Sequence, residues 1–179
     1  MKEIIIKVEG VTPLLMNRFR EKEIDTKGKK RMGAMEEHDI LDKLYLIDNV
    51  PHIPGIYFRN SFVEAAKQFK ITGKGKSTYS KLAGSTLQIK EEYIPIEPGK
   101  YEPYKIAAVN PMTKGRMMVT RPRFNKWSAQ FTVQLLDDSL PIEILNVLVI
   151  HAGQYVGIGD WRPDKKGMFG KFIVVKFQR

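Results

Sequence analysis

An α+β fold built on an antiparallel sheet is what this 179-residue sequence predicts. Three observations carry that prediction. "WSAQFTVQLL" (127–136) alternates apolar and polar residues as a half-buried strand does. "IYFRNSFVEAAKQFKI" (56–71) collects its apolar residues at helical spacing. Stretches rich in isoleucine and valine, "KEIIIKVEG" and "KFIVVKF", stand near the two ends of the sequence.

In order along the chain, "KEIIIKVEG" has strand composition and ends at Gly10. "VTPLLMNRF" follows; its Leu14 and Leu15 suit the core, or a subunit contact in an assembling protein. A polar, basic segment without periodicity then reads as a loop to about Arg31. "MEEHDILDKLYLI" (35–47) spaces Met35, Ile40, Leu41, Leu44 and Tyr45 as a short helix would. "NVPHIPG" reads as a rigid turn. In the helix that follows, Phe58, Phe62, Ala65, Ala66 and Phe69 share one face. "TGKGKSTYSKLAG" reads as a second basic loop, and "STLQIKEEYIPIEP" as one strand ending before Pro98. Residues 104–124 read as a hairpin-like excursion turning around "NPMTKG". The clearest strand follows, carrying Trp127, Ala129, Phe131, Val133 and Leu135 on one side. "DDSLPIEILNVLVIHAGQYVG" opens as a helix, with Ser139 as cap and Pro141 in the first turn, and stops near Gly153–Gly157.

The strongest elements run strand, helix, strand, strand, helix, strand. That is the βαββαβ order of a ferredoxin-like or RRM-like core with an antiparallel sheet and long loop insertions. The expectation is a single domain over 1–179. Basic loop insertions fall at about 17–34 and 72–84, and the hairpin-like excursion at about 98–122.

Charge narrows the function. Lys and Arg number 30 against 20 Asp and Glu, a net charge of +10, which favours a polyanionic partner. A lysine-rich thermophile surface would give a similar total. The distribution is uneven, however: 67–90 holds six lysines and no acid, and 18–31 holds seven basic residues against three acidic ones. No apolar run has the length of a membrane span, and the first residues lack the apolar region of a signal peptide, so a cytoplasmic location and no membrane partner are expected. Zero cysteines exclude disulfides and thiolate chemistry.

Three motifs carry the chemistry. "GIGDWRPDKKGMFGKF" (157–172) combines four glycines with Arg162, Lys165 and Lys166, as a loop that meets phosphates would. The other reading is a tight connection that packs Trp161 and Phe169 into the core. It is not a nucleotide-binding P-loop, since no Gly-Lys-Ser/Thr closes it. "RPRFNKW" (121–127) alternates cations and aromatics, so that Arg121 and Arg123 could hold a strand while Trp127 stacks a base, unless Trp127 fills the core. "KQFKITGKGKSTYSK" offers Lys74 and Lys76 on a Gly/Ser/Thr background, with Tyr79 its stacking candidate. "EEHDILD" (36–42) could suggest a metal site, but a charged helix face has the same look.

Taken together, "GVTPLL" after the first strand, "IPGIYFRNSF" with Arg59 and the late glycine-rich loop resemble the RAMP superfamily, the repeat-associated proteins that form the backbone of CRISPR effector complexes. The paired serines usual after the Ile-Pro-Gly turn are missing here. Over most of its length the chain also resembles uncharacterised phage and prophage proteins with "TPLLMN"-like and "GxGDWRPxxGxFGxF"-like stretches. The RAMP resemblance implies RNA binding along a groove and copies assembling side by side. In type III effectors of that superfamily an aspartate in the insertion after the first strand cuts RNA; Asp25, Asp39 and Asp42 are the positions here, and none stands in an alignable motif.

The expectation is therefore a protein that binds single-stranded nucleic acid, RNA ahead of DNA, with self-association or other effector-complex subunits as further partners. The contact residues expected are Arg18, Arg20, Lys29, Lys30, Arg31, Arg59, Lys74, Lys76, Arg116, Arg121, Arg123, Trp127, Arg162, Lys165 and Lys166. No cofactor or metal is assigned. A metal-dependent nuclease using 36–42, or a phage protein with an acidic protein partner, stands as the alternative.

Overall fold

The computed structural model describes residues 1–18, 40–109 and 114–179. A four-stranded antiparallel sheet is built from β1 (Lys2–Gly10), β5 (Leu87–Ile89), β9 (Ser128–Leu135) and β10 (Phe172–Gln178), in the order β10-β1-β9-β5. Helix α1 (Gly55–Ala65) lies between β1 and β5 in sequence, and α3 (Ile142–His151) between β9 and β10. This is the expected ferredoxin-like α+β core: the crossover from β1 to β5 leaves a gap that β9 then fills, and the crossover from β9 to β10 passes over β1.

The core lies between the sheet and these two helices. Ile4, Ile6 and Val8 of β1 and Ala129, Phe131, Val133 and Leu135 of β9 are buried, as the alternation requires. They meet Phe58, Phe62 and Ala65 of α1 and Leu145, Leu148 and Val149 of α3. Phe58 stacks on Phe131 with ring centroids 4.3 Å apart. α1 begins at a close backbone approach: Gly55 N donates to Glu92 O (2.8 Å), and a methyl group at Gly55 would overlap the Glu91 carbonyl.

The insertions build two smaller sheets. β2 (Leu14–Leu15) pairs with β8 (Arg116–Phe124), which pairs with β7 (Glu102–Val109) as a long hairpin. β3 (Tyr45–Ile47) and β4 (Val50–Pro54) form a second hairpin, joined by β6 (Tyr93–Pro95). α2 (Ser80–Thr86) follows the 72–79 loop.

Five expectations are corrected here. The helix expected over 35–47 is not continuous: Tyr45–Ile47 is a strand, and "NVPHIPG" supplies its partner rather than a turn. The turn signal is Asp48–Asn49, with φ of 51° and 61°, residue types that tolerate the left-handed conformation a two-residue hairpin needs. Residues 35–39 lie outside the described part. "STLQIKEEYIPIEP" is split between two sheets, because the chain turns after β5 and the Glu91 carboxylate takes the Thr132 N–H (2.8 Å) that another strand residue would have used. Residues 80–84 of the second basic loop belong to α2. Ser139 does not cap α3: its N–H is held by Asp137 Oδ1 (2.8 Å), and Pro141 occupies the cap position.

Candidate nucleic-acid interface

Three stretches far apart in sequence, "TPLLMN", "RPRF" and the glycine-rich loop, meet at one corner. β2, from "TPLLMN", runs between β8, from "RPRF", and the glycine-rich loop. Leu14 and Leu15 pair with Phe124 and Arg123 on one side. On the other, Asp160 N donates to Leu15 O (2.8 Å) and Gly170 N to Pro13 O (2.8 Å). Gly159, at φ 79°, permits this approach, since a side chain there would strike the Leu15 carbonyl.

The loop is closed by its own backbone. Ile158 N reaches Gly170 O (3.0 Å), Phe169 N reaches Trp161 O (3.1 Å) and Gly167 N reaches Arg162 O (3.0 Å). A short 3₁₀ turn over Pro163–Lys165 ends on Lys166 at φ 61°. Inside this frame Phe169 is buried against Tyr104 (centroids 5.7 Å), as one reading of the loop expected. Trp161 is not. It sits at φ 52° with 37% of its surface exposed, beside exposed Lys165, Lys166 and Met168. Ser61 of α1 ties the loop to the core through a buried hydrogen bond to Gly157 O (2.9 Å).

The structure decides between the readings left open for the two tryptophans: Trp161 stays out of the core and Trp127 fills it. Trp127 is 3% exposed, its ring lies over Gly10, and its Nε1 donates to Thr12 O (2.9 Å). Its faces are taken by the core, so it offers no platform for a base.

Of the expected cations, several are engaged within the protein. Arg121 Nε donates to Asp160 Oδ2 (2.9 Å), a pair that is largely shielded and braces the hairpin against the loop. Arg123 pairs with Glu102 and lies over the Tyr104 ring at 4.7 Å. Hydrogen bonding from Asn125 and then Arg123 holds the Glu102 carboxyl below its ordinary pKa. Arg59 donates to the carbonyls of Leu87 and Gly84, joining α1 to α2 and β5. Arg162 donates to Gly159 O and Asp164 Oδ2, both at 3.2 Å. Arg18 lies 5.3 Å over Tyr45. Lys74, Lys76 and Arg116 are exposed, the two lysines alternating with Gly73 and Gly75 at positive φ. Arg20, Lys29, Lys30, Arg31, Asp25 and Asp39 lie outside the described residues. Asp42 is exposed, and among the described residues no group of three His, Asp or Glu side chains could hold a metal ion.

Beside the loop opens a cavity of about 360 Å³, lined by Asn17, by Tyr57, Asn60, Ser61 and Glu64 of α1, and by loop residues from Val156 to Lys165. Sequence reasoning passed over Tyr57 and Asn60. The signal was their spacing of three residues just after the Ile-Pro-Gly turn, which puts both on one side of α1. Burial, and then the hydrogen bond to Tyr45 (3.1 Å between hydroxyls), raise the Tyr57 phenol above its ordinary pKa, so it stays neutral.

The sheet's uncovered face is chemically different. The residues that β1 and β9 turn away from the helices include Ile5, Lys7 and Glu9, opposite Thr132, Gln130 and Ser128. Across β1, Lys7 faces Lys176 and Glu9 faces Ile173. No aromatic ring stands among them, so the base-stacking surface that RRM sheets use is missing from this face.

No protein-family model and no curated protein matches the sequence. Solved structures do match its shape. A chain in the cryo-EM structure of the Type III-B Cmr-beta bound to cognate target RNA superposes with a TM-score of 0.51 at 15% identity, over 99% of this chain and 60% of that one. The chain therefore spans less than two thirds of that neighbour. Cmr6 from Pyrococcus furiosus aligns over 96% of this chain and 97% of its own, at 11% identity and a TM-score of 0.48. The likeness to the Cmr-beta chain is one of fold. Among the described residues no helix is long and apolar enough to cross a membrane.

Proposed function

We propose that the protein binds single-stranded nucleic acid, RNA in preference to DNA, as a RAMP-like subunit that assembles side by side with copies of itself or with other effector-complex subunits. The observation that carries the reading is Trp161: an exposed indole held at positive φ on a closed loop, with Lys165 and Lys166 beside it. An aromatic face next to cations is the pairing that grips unstacked bases and backbone together. The fold shared with a chain of an RNA-bound complex supports the same reading.

In this scheme Lys165 and Lys166 take phosphates and Trp161 stacks a base. The β7–β8 hairpin, tied to the loop through Arg121 and Asp160, reaches along the strand with Arg116. Lys74 and Lys76 add salt-sensitive attraction. Arg121, Arg123 and Arg59 hold the scaffold in place.

The test is titration of the protein into labelled single-stranded RNA, single-stranded DNA and duplex DNA at two salt concentrations, with light scattering on the same samples. Tight single-strand binding that weakens with salt, with mass growing with strand length, is the expected result. Equal, weak binding to all three polymers would reduce the corner to a basic surface and overturn the proposal.

A further inference from the structure

The cavity beside the loop has a polarity that phosphate binding does not explain. Glu64, Asp160 and Asp164 all line it, against the two cations Arg162 and Lys165. Both cations lie near carboxylates: Arg162 donates to Asp164 Oδ2 at 3.2 Å, and Lys165 Nζ lies 3.3 Å from the same oxygen. Asp160 and Glu64 are paired from outside, by Arg121 and Lys67, and Asp164 takes both lining cations, so a phosphate placed inside would have to compete with Asp164 for them. Phosphates belong at the rim, on exposed Lys165 and Lys166. The interior suits a neutral, flat group that donates hydrogen bonds.

Size and walls agree. A cavity of about 360 Å³ has room for one nucleobase and part of its sugar. Val156 and Ile158 give it an apolar floor, and Tyr57 supplies an aromatic wall whose phenol stays neutral. The polar edge is rich in acceptors. The ion pairs of Glu64 and Asp164 run through Oε2 and Oδ2, and a carboxylate can accept more bonds than that. The Asn17 and Asn60 amides, both on exposed residues, can turn either end to a ligand.

From this we infer that the cavity is a specificity pocket for a single unstacked guanine. Guanine presents adjacent N–H groups on one edge, which a carboxylate such as that of Glu64 accepts as a pair, and its O6 suits the amide of Asn60. Uracil brings one N–H between two carbonyls, which the carboxylates repel. The inference rests on the proposed single-strand binding and adds base selectivity to it: Trp161 and the lysines hold any strand, and the pocket chooses where the strand sits.

The experiment compares two labelled RNAs of about twelve nucleotides, an all-uridine strand and the same strand with one central guanosine, by fluorescence anisotropy with the full chain. The expected result is about tenfold tighter binding of the guanosine strand, a size typical of one well-made polar base contact. Neither Glu64 nor Asn60 is part of the hydrophobic core, so Glu64→Gln and Asn60→Ala are expected to fold, which thermal unfolding checks. Glu64→Gln is expected to shrink the preference to about twofold, by weakening the guanosine strand while all-uridine affinity stays level or rises as the carboxylate's repulsion is removed. Equal binding of the two strands by the wild-type protein, or a preference that survives Glu64→Gln, overturns the pocket while leaving strand binding standing. Failure to bind either strand overturns both.

Discussion

The uncovered face of the four-stranded sheet and the corner around the glycine-rich loop are both open to solvent, and they offer a polyanion opposite things. The sheet face presents glutamines, Thr132, the facing lysines Lys7 and Lys176 and the apolar Ile5 and Ile173, with no ring. The corner presents Trp161, Lys165, Lys166 and a polar cavity, all fixed by backbone hydrogen bonds to β2. The lesson is that exposed ring and charge need not sit on the face of a ferredoxin-like sheet. Here they lie in a loop whose shape the core enforces, and the proposed strand binding is placed there for that reason.

That contrast can be broken or sharpened experimentally. The largest effect is expected from Trp127→Ala, which empties a core site and should cost about 3–5 kcal/mol of folding stability, read by denaturant unfolding. Trp161→Ala should leave the unfolding curve in place and weaken single-stranded RNA binding by about 1–3 kcal/mol. A reversal of these two results would place the stacking surface at the wrong tryptophan. Next comes Gly167→Ala: its methyl would overlap the Trp161 carbonyl, so the loop must open, and RNA affinity should fall about as far as for Trp161→Ala.

Smaller again is the double change Lys165→Gln with Lys166→Gln, which should flatten the slope of log affinity against log salt by about 1.4. Lys7→Gln with Lys176→Gln, on the open sheet face, is the matched control and should leave that slope nearly unchanged. An equal loss from the two pairs would erase the distinction between face and corner. The smallest effect concerns pH. Because the Glu102 carboxyl titrates below its ordinary value in the folded protein, its contribution is present above the unfolded pKa and is lost as pH falls through the folded one. An NMR titration should find Glu102 ionising below the ordinary glutamate range, and Asn125→Ala should raise it.

Much of the fold was legible because its signals are local. The alternation of Trp127 to Leu135 and the helical spacing of Phe58, Phe62 and Ala65 each specify a face, and a face that is apolar must find a core. The element order then left few ways to arrange four strands. The misreadings came where two short signals competed. Helical spacing at 40–45 outweighed the Asp48–Asn49 turn, and the β propensity of 86–96 hid the bend that sends β5 and β6 to different sheets.

The sequence by itself determined the secondary structure of the core, the excess of positive charge and the glycine-rich character of the late loop, since each depends on neighbours along the chain. Tertiary structure decided which groups are available. Arg121 meets Asp160 from 39 residues away and Arg123 meets Glu102 from 21, so the arginines that look most like strand-binding groups are committed within the protein. Trp127 goes inside because Gly10 leaves room for its ring, and Trp161 stays outside because closure of the loop holds its backbone at positive φ. Composition counts charges and rings, but only the folded chain assigns their partners, because an ion pair or a packed indole depends on distances that local sequence does not encode.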